Sequence, residues 1–266
     1  MSTVTGAPTE VLRLRRGGGW SLALVSLVGV VAFAWPFVRT PAASMMAHQS
    51  DAPWFLLAVI PLLLVVLLGD LTAGRLDAKA IAVMAILAAA GTALRMPTGG
   101  IAGLEMVFFL LVPAGRVFGR GFGFVLGALT LFASAVFTAG VGPWLPFQML
   151  AAGWIGLGAA CLPPARGRAE IALLSGYAVV AAYAYGMALD AWFWPFGTAA
   201  GTELGPQPGA SLMTNIGRFA AFHAATSMGW DTMRAVTTVA LLLALGPAVL
   251  AALRRAARKA HFSTAR

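Results

Sequence analysis

The sequence predicts an all-α fold, a polytopic bundle of transmembrane helices. Hydrophobic residues make up 60% of the chain and charged residues only 10%, a balance that a water-soluble domain cannot bury. The apolar residues form long runs, and about 20 such residues in succession span a bilayer. Lysines and arginines are concentrated in short loops and tails. We therefore expect a multi-pass protein of the cell (plasma) membrane.

Eight apolar runs predict eight helices. The third run ends at Arg95-Met96-Pro97 and the fourth is short, so a six- or seven-helix count with one re-entrant segment stays open. The last run precedes the basic residues Arg254 and Arg255. In chain order the predicted helices are 20–38, 53–74, 78–94, 102–117, 121–140, 145–164, 169–194 and 231–253.

The distribution of basic residues predicts the orientation of the bundle. If the N-terminus lies inside, the even helix count also brings the C-terminus to the cytoplasm. Only Arg39, Arg95, Arg218 and Arg234 then lie outside, and all other lysines and arginines lie inside. This asymmetry is the positive-inside pattern of membrane proteins. We expect both termini to be cytoplasmic.

The chain divides into four parts. Residues 1–19 are polar, glycine-bearing and basic, which predicts a disordered cytoplasmic tail, and residues 256–266 form a second basic cytoplasmic tail. The first two helices occupy 20–76, and the remaining six occupy 77–255. The outer segment 195–230 opens as a glycine- and proline-rich loop and ends in the run 219–225. That run is helical in propensity but too short to span, so we expect it on the outer face.

Missing motifs exclude several functions. The chain has no G-x-x-x-x-G-K-[ST] loop, so we do not expect it to hydrolyse ATP. It has no H-E-x-x-H motif and its three histidines are scattered, so zinc proteolysis is not expected; with a single cysteine, Cys161, it can form neither a cysteine metal cluster nor an internal disulfide. Its acidic residues do not pair as catalytic acids and bases would. We expect no catalytic residue, no metal site and no cofactor. The basic residues serve orientation, so we expect no nucleic-acid partner.

The run Gly140-Val141-Gly142-Pro143-Trp144-Leu145-Pro146-Phe147-Gln148 separates two apolar runs. Its two prolines cannot both lie in a regular helix interior, so the chain must turn here and restart. Trp144 is then expected near the interface and Gln148 about one turn inside the next helix. A buried amide needs hydrogen-bonding partners, so Gln148 is either an anchor for a ligand or a helix-to-helix contact.

The order of features between Lys79 and Pro164 resembles a known transporter family. An alanine-rich helix ends at Arg95 and is followed by Pro97-Thr98-Gly99-Gly100, a short apolar helix, Arg116-Val117-Phe118-Gly119-Arg120-Gly121 and the Gly-Pro-Trp run. With the stretch Ser227-Met228-Gly229-Trp230-Asp231 through Arg255, residues 78–255 resemble the substrate-binding S components of energy-coupling factor (ECF) vitamin transporters. The resemblance implies a six-helix S-component-like core with two extra N-terminal helices.

The resemblance also implies partners. An S component captures a vitamin outside, and a transmembrane T protein with two ATPase subunits drives its release inward. In that family, alanines spaced four apart on the first core helix pack against the T protein. The matching residues form a narrow stripe that would let another backbone approach closely. In a chain rich in alanine, chance or internal packing is the alternative explanation. The stripe consists of Ala82, Ala85, Ala89 and Ala93.

The expected ligand site lies at the outer end. Most of the eight tryptophans fall there, which fits a large, partly aromatic ligand in a concave pocket with a few polar anchors. Arg95 and Glu105 can meet across adjacent helix ends, as an ion pair or as ligand contacts. Asp231 is expected to be a helix N-cap. The candidate ligand-binding residues are Arg95, Glu105, Trp144, Gln148, Trp192 and His223.

The form of the Gly-Pro-Trp run most resembles the S components for cobalamin and related corrinoids. Folate, thiamine precursors, pantothenate and queuosine precursors remain open as substrates. Two other classes also remain, a membrane enzyme and a scaffold subunit that transports nothing. An enzyme would change its substrate chemically, whereas a scaffold would bind no ligand.

Overall fold

The structure, a computed structural model, describes residues 16–38, 78–98, 104–195 and 201–261. This part of the chain contains eight α-helices, a 3₁₀ turn at Met96–Thr98 and no strand. The predicted helix 53–74 and the Gly99-Gly100 loop lie outside the described residues. The helices are α1 (Arg16–Val38), α2 (Ala78–Arg95), α3 (Val107–Phe118), α4 (Arg120–Phe137), α5 (Leu145–Ala160), α6 (Gly167–Phe193), α7 (Leu212–Thr226) and α8 (Met228–His261).

Four of these helices are long and apolar enough to cross a membrane, namely α2, α4, α6 and residues Met228–Lys259 of α8. Shorter apolar helices occur at Leu22–Ala34 within α1, in α3 and in α5. The protein is thus a helical membrane protein, as the composition predicts. The described residues do not reach the predicted eight spans. One reason is that α3 begins only at Val107, five residues later than predicted, and has 12 residues.

Helix α3 lies at the centre of the bundle. All its residues from Val107 to Phe118 are buried, which fits a helix that is apolar on every side. It ends at Gly119, whose φ of 96° is a left-handed value that favours glycine, and α4 begins at the next residue. The chain therefore reverses between α3 and α4 without a loop.

Glycines allow α3, α4 and α5 to pack backbone against backbone. A Cβ on Gly115 of α3 would lie 2.0 Å from the Gly156 carbonyl oxygen of α5, and a Cβ on Gly156 would lie 2.2 Å from the carbonyl oxygen of Gly123 in α4. A Cβ on Gly127 would lie 2.3 Å from the Ala152 carbonyl oxygen. The Gly123-x-x-x-Gly127 pair therefore serves internal packing, as close small-residue contacts between helices do.

The turn at the Gly-Pro-Trp run is confirmed. Helix α4 ends at Phe137 and α5 begins at Leu145, with Pro146 in its first turn, where a missing amide donor costs no helix bond. Helix α5 ends at Ala160, four residues before the predicted boundary. Pro163 and Pro164 follow and cannot continue a helix.

Three helices extend past their predicted ends, because a helix, once formed, lengthens at little cost. Helix α1 begins at Arg16, inside the segment predicted as a disordered tail. Helix α7 is longer than the expected run 219–225, and its first turn is capped by the Ser211 hydroxyl, which accepts a bond from the Thr214 amide at 3.1 Å. Helix α8 continues to His261, past residue 253. Its buried Leu253 and Ala257 keep this last stretch packed on the bundle.

Candidate functional site

Charged residues converge at the end of the bundle where α2 and α6 finish and α3 and α8 begin. Helix α7 also finishes there, one residue before α8. Five elements thus bring ionisable side chains together, although these residues are up to 139 positions apart in sequence. We call this group the charged cluster. It consists of Arg95, Glu105, Asp190, His223, Asp231 and Arg234.

Arg234 is the centre of the charged cluster. Its Nε donates to Glu105 Oε2, and its Nη1 donates to Asp231 Oδ1 and to the Ala182 carbonyl oxygen. The guanidinium carbon lies 5.6 Å from the centroid of the Phe108 ring and 5.0 Å from that of Tyr185, within range of a cation–π interaction. Two carboxylates and two aromatic faces therefore compensate for the desolvation of this buried cation.

Asp231 is buried against the backbone of α6. A Cβ on Gly186 would lie 2.0 Å from Asp231 Oδ1, so only glycine at position 186 leaves room for the carboxylate. Asp231 Oδ2 lies 3.6 Å from His223 Nε2, and neither atom has a hydrogen-bond partner. The predicted N-cap role of Asp231 is wrong. Helix α8 begins three residues earlier, at Met228, which places Asp231 inside the first turn.

His223 fastens α7 to the bundle. Its Nδ1 lies 2.7 Å from Asp190 Oδ2 of α6, within hydrogen-bonding distance. The imidazole ring stacks on Phe219 of its own helix at 6.3 Å. Phe219 in turn contacts Trp194, whose indole Nε1 donates to the Leu204 carbonyl oxygen at 2.7 Å. The Asp190 contact and this aromatic group thus both join α7 to the end of α6.

Arg95 and Glu105 form the accessible edge of the charged cluster. Arg95 Nη2 lies 3.9 Å from Glu105 Oε1, so the expected meeting of these residues across adjacent helix ends is found. Their side chains are 21% and 20% exposed, whereas that of Asp231 is 1% exposed. These two side chains are therefore the most exposed of the charged cluster, followed by Asp190 at 15%.

The other predicted ligand residues lie apart from the buried centre of the charged cluster. Trp144 precedes α5 and is 42% exposed. Its indole folds back over Gly142 and donates to the Gly140 carbonyl oxygen at 3.1 Å. Gln148 is half-buried in the first turn of α5, and the half-buried Trp192 packs on Phe147 with 5.4 Å between ring centroids. The structure thus groups Arg95, Glu105 and His223, but holds Trp144 in its own turn.

The alanine stripe of α2 faces away from the other helices that the structure describes. The buried face of this helix carries Ala80, Met84, Leu87, Ala88, Gly91 and Thr92. The opposite face is exposed, and we call it the alanine face. It consists of Ala82, Ala85, Ala89 and Ala93.

A second ion cluster ties the opposite end of the bundle together. Glu170 of α6 is buried and accepts hydrogen bonds from Arg116 Nε at 3.0 Å and from Arg254 Nη2 at 2.7 Å. Arg116 also donates to the carbonyl oxygens of Leu162 and Pro163 at 2.8 and 3.0 Å. These bonds join α3, α6, α8 and the segment after α5.

Sequence reasoning missed Asp190, Asp231 and Arg234 as members of the site. The available signal was an aspartate and an arginine, three residues apart, near the start of an apolar helix, since ionisable groups within membrane helices are rare and functional by default.

Among the described residues, no group of three His, Cys, Asp or Glu side chains is placed to hold a metal ion. No protein-family model, curated protein or solved structure matches this chain.

Proposed function

We propose that the protein is the substrate-binding S component of an ECF-type importer. It captures a vitamin at the outer face, and a transmembrane T protein with two ATPase subunits drives delivery inward. A corrinoid of the cobalamin type is the proposed substrate. The proposal starts from the order of motifs over residues 78–255, and each of its two surfaces rests on a separate observation.

The observation that carries the proposal is the burial pattern of α2. The four side chains of the alanine face are exposed, so none of the helices in the described part of the chain packs on this stripe. Small side chains on an exposed transmembrane face let a second helix approach closely, which gains van der Waals contact that lipid tails do not match. The alanine face therefore supports docking of a partner helix.

The ligand side is supported by the charged cluster. Ionisable groups inside an apolar bundle are expensive and mark solute or ion sites by default. Here they gather where five elements meet, with Arg95 and Glu105 partly open to solvent. An outward orientation of this end follows from the positive-inside rule, because the exposed Arg255, Arg258 and Lys259 lie near the opposite end of α8.

Docking is tested by replacing Ala85 and Ala89 together with leucine. The added bulk should separate the helices and reduce the T protein that co-purifies by about tenfold or more, an interface loss of ~1.4 kcal/mol. Binding of cobalamin by the isolated protein should be retained. The matched control is Ala240→Leu with Ala244→Leu, a pair of exposed alanines at the same spacing on α8. If the T protein co-purified equally with both variants and with the wild type, the alanine face would not be its docking surface.

Orientation is tested by single cysteines in a Cys161→Ala background. Glu203, whose side chain is 99% exposed, precedes α7, and Arg258 lies near the end of α8. A membrane-impermeant thiol reagent applied to intact cells should label Glu203→Cys and leave Arg258→Cys unlabelled until the cells are opened. The reverse pattern would place the charged cluster on the cytoplasmic side and contradict capture from outside.

A further inference from the structure

His223 of α7 lies between two carboxylates that belong to different helices. Its Nδ1 is 2.7 Å from Asp190 Oδ2 of α6, and its Nε2 is 3.6 Å from Asp231 Oδ2 of α8. The side chains of His223 and Asp231 are only 8% and 1% exposed. Within the described part of the chain, the buried Nε2 and Oδ2 have no hydrogen-bond partner, although they face each other. The imidazole thus joins α7 to α6 by one contact and leaves a second contact, to α8, incomplete.

Completion of the second contact requires one proton. An ionised carboxylate only accepts hydrogen bonds, and a neutral imidazole carries a single hydrogen for its two nitrogens. A neutral His223 therefore satisfies only one of the two carboxylates, and on the other side a lone pair faces an acceptor. One more proton, on the ring or on Asp231, supplies the missing donor between Nε2 and Oδ2. Such a proton belongs to the pair of groups and not to either residue alone.

The charges around His223 come from α6 and α8. Asp190 of α6 forms its ion pair with His223. Asp231 of α8 accepts from Arg234, but the same guanidinium also donates to Glu105, so its charge is divided between two carboxylates. Both aspartates therefore attract positive charge to the imidazole between them.

The other contacts of α7 do not depend on a proton. Arg218, the other ionisable residue of α7, donates to the backbone carbonyls of Gly205 and Thr202, within the segment that leads into this helix. Phe219 packs on Phe37 of α1 with 5.3 Å between ring centroids, and the ionisable residue of α1, Arg16, stands at the opposite end of that helix. A change of pH therefore acts on the attachment of α7 through the contacts of its histidine.

We propose that one proton, held between His223 and Asp231, fastens α7 to α8, and that a rise in pH releases α7 from this end of the bundle. The fastened state binds one proton more than the released state, so higher pH favours release. Ser227 is the one residue between α7 and α8, so the change of angle falls there. Release uncovers Asp190 and Asp231. This pH-sensitive contact goes beyond the proposed function and does not depend on it.

The test measures the separation of α7 and α6 by electron paramagnetic resonance. Spin labels are attached in the Cys161→Ala background to Ala221→Cys of α7 and Val180→Cys of α6, two exposed positions. The detergent-solubilised protein should show the fastened distance at about pH 5.5 and a second, displaced population at about pH 8.5, values that bracket the charge change of histidine. The ratio of displaced to fastened protein should rise by up to about tenfold per pH unit, the limit for one proton.

Two variants and one control pair assign the effect. His223→Gln has no titratable ring, so its distances should be the same at both pH values. In Asp231→Asn the amide donates to a neutral imidazole, so α7 should stay fastened at both. The control pair, Val180→Cys with the exposed Val236→Cys of α8, should keep its distance. An unchanged wild-type distance, a pH effect that persists in either variant, or equal movement in the control pair overturns the proposal.

Discussion

Replacement of Arg234 with methionine is expected to destabilise the protein by about 3–5 kcal/mol, the largest loss that we predict for a single side chain. Methionine keeps an apolar stem of similar length but removes the charge between Phe108 and Tyr185. Glu105 and Asp231 would then lose their shared donor, and Asp231 would be left as a buried carboxylate against Gly186. The measurement is thermal unfolding of the purified protein in detergent.

Two variants make the Arg234 prediction specific. Arg255→Met changes an exposed arginine on the same helix and should alter stability by no more than about 0.5 kcal/mol. Asp231→Asn added to Arg234→Met removes one of the stranded charges and should recover part of the loss, because neighbours in one ion network are not additive. Wild-type stability of Arg234→Met would show that the guanidinium does not hold these helix ends together.

The second large effect is expected at the glycine contact among α3, α4 and α5. In Gly156→Ala the new Cβ would lie 2.2 Å from the Gly123 carbonyl oxygen, so two backbones must separate. Such overpacking costs about 1–3 kcal/mol, and the loss of close contact along α4 and α5 adds to it. Thermal unfolding in the same detergent gives the measurement.

The control for this change is Gly176→Ala in α6. Gly176 is also helical, but nothing lies within 4 Å of the position that a Cβ would take. Alanine there should be neutral or stabilising by up to about 1 kcal/mol, because glycine is the poorer helix former. If both variants changed stability equally, close backbone packing at Gly156 would not be what limits the side chain there.

The sequence allowed correct prediction of the features that depend on neighbouring residues. The helical class followed from apolar runs, and the turn before α5 followed from Pro143 and Pro146. Each of these depends on the local chain or on one helix face. The exposure of the alanine stripe was left open by its spacing, because both faces of α2 are rich in small residues and only the tertiary contacts decide which one is buried.

The charged cluster was predicted only in part, for a physical reason. Arg95 and Glu105 are close in sequence, so their meeting was foreseeable. Arg234 reaches Glu105 from 129 positions away, and the carboxylate of Asp231 fits only because Gly186 of another helix has no side chain. Nothing in the chain near Asp231 indicates that glycine. A local pattern therefore favoured a helix cap, whereas long-range packing made Asp231 a buried ion partner.

The central claim is that this protein supplies the substrate specificity of an ECF-type importer. Its most direct test is uptake of labelled cobalamin by proteoliposomes that contain this protein, the T protein and both ATPase subunits. Uptake should require ATP on the side of the membrane where the ATPase subunits lie, and it should stop when this protein is omitted. Uptake should fall in the double variant Ala85→Leu with Ala89→Leu, but not in the control Ala240→Leu with Ala244→Leu. ATP-dependent uptake that is unchanged in the absence of this protein, or no uptake of cobalamin or of any other vitamin in its presence, would contradict the claim.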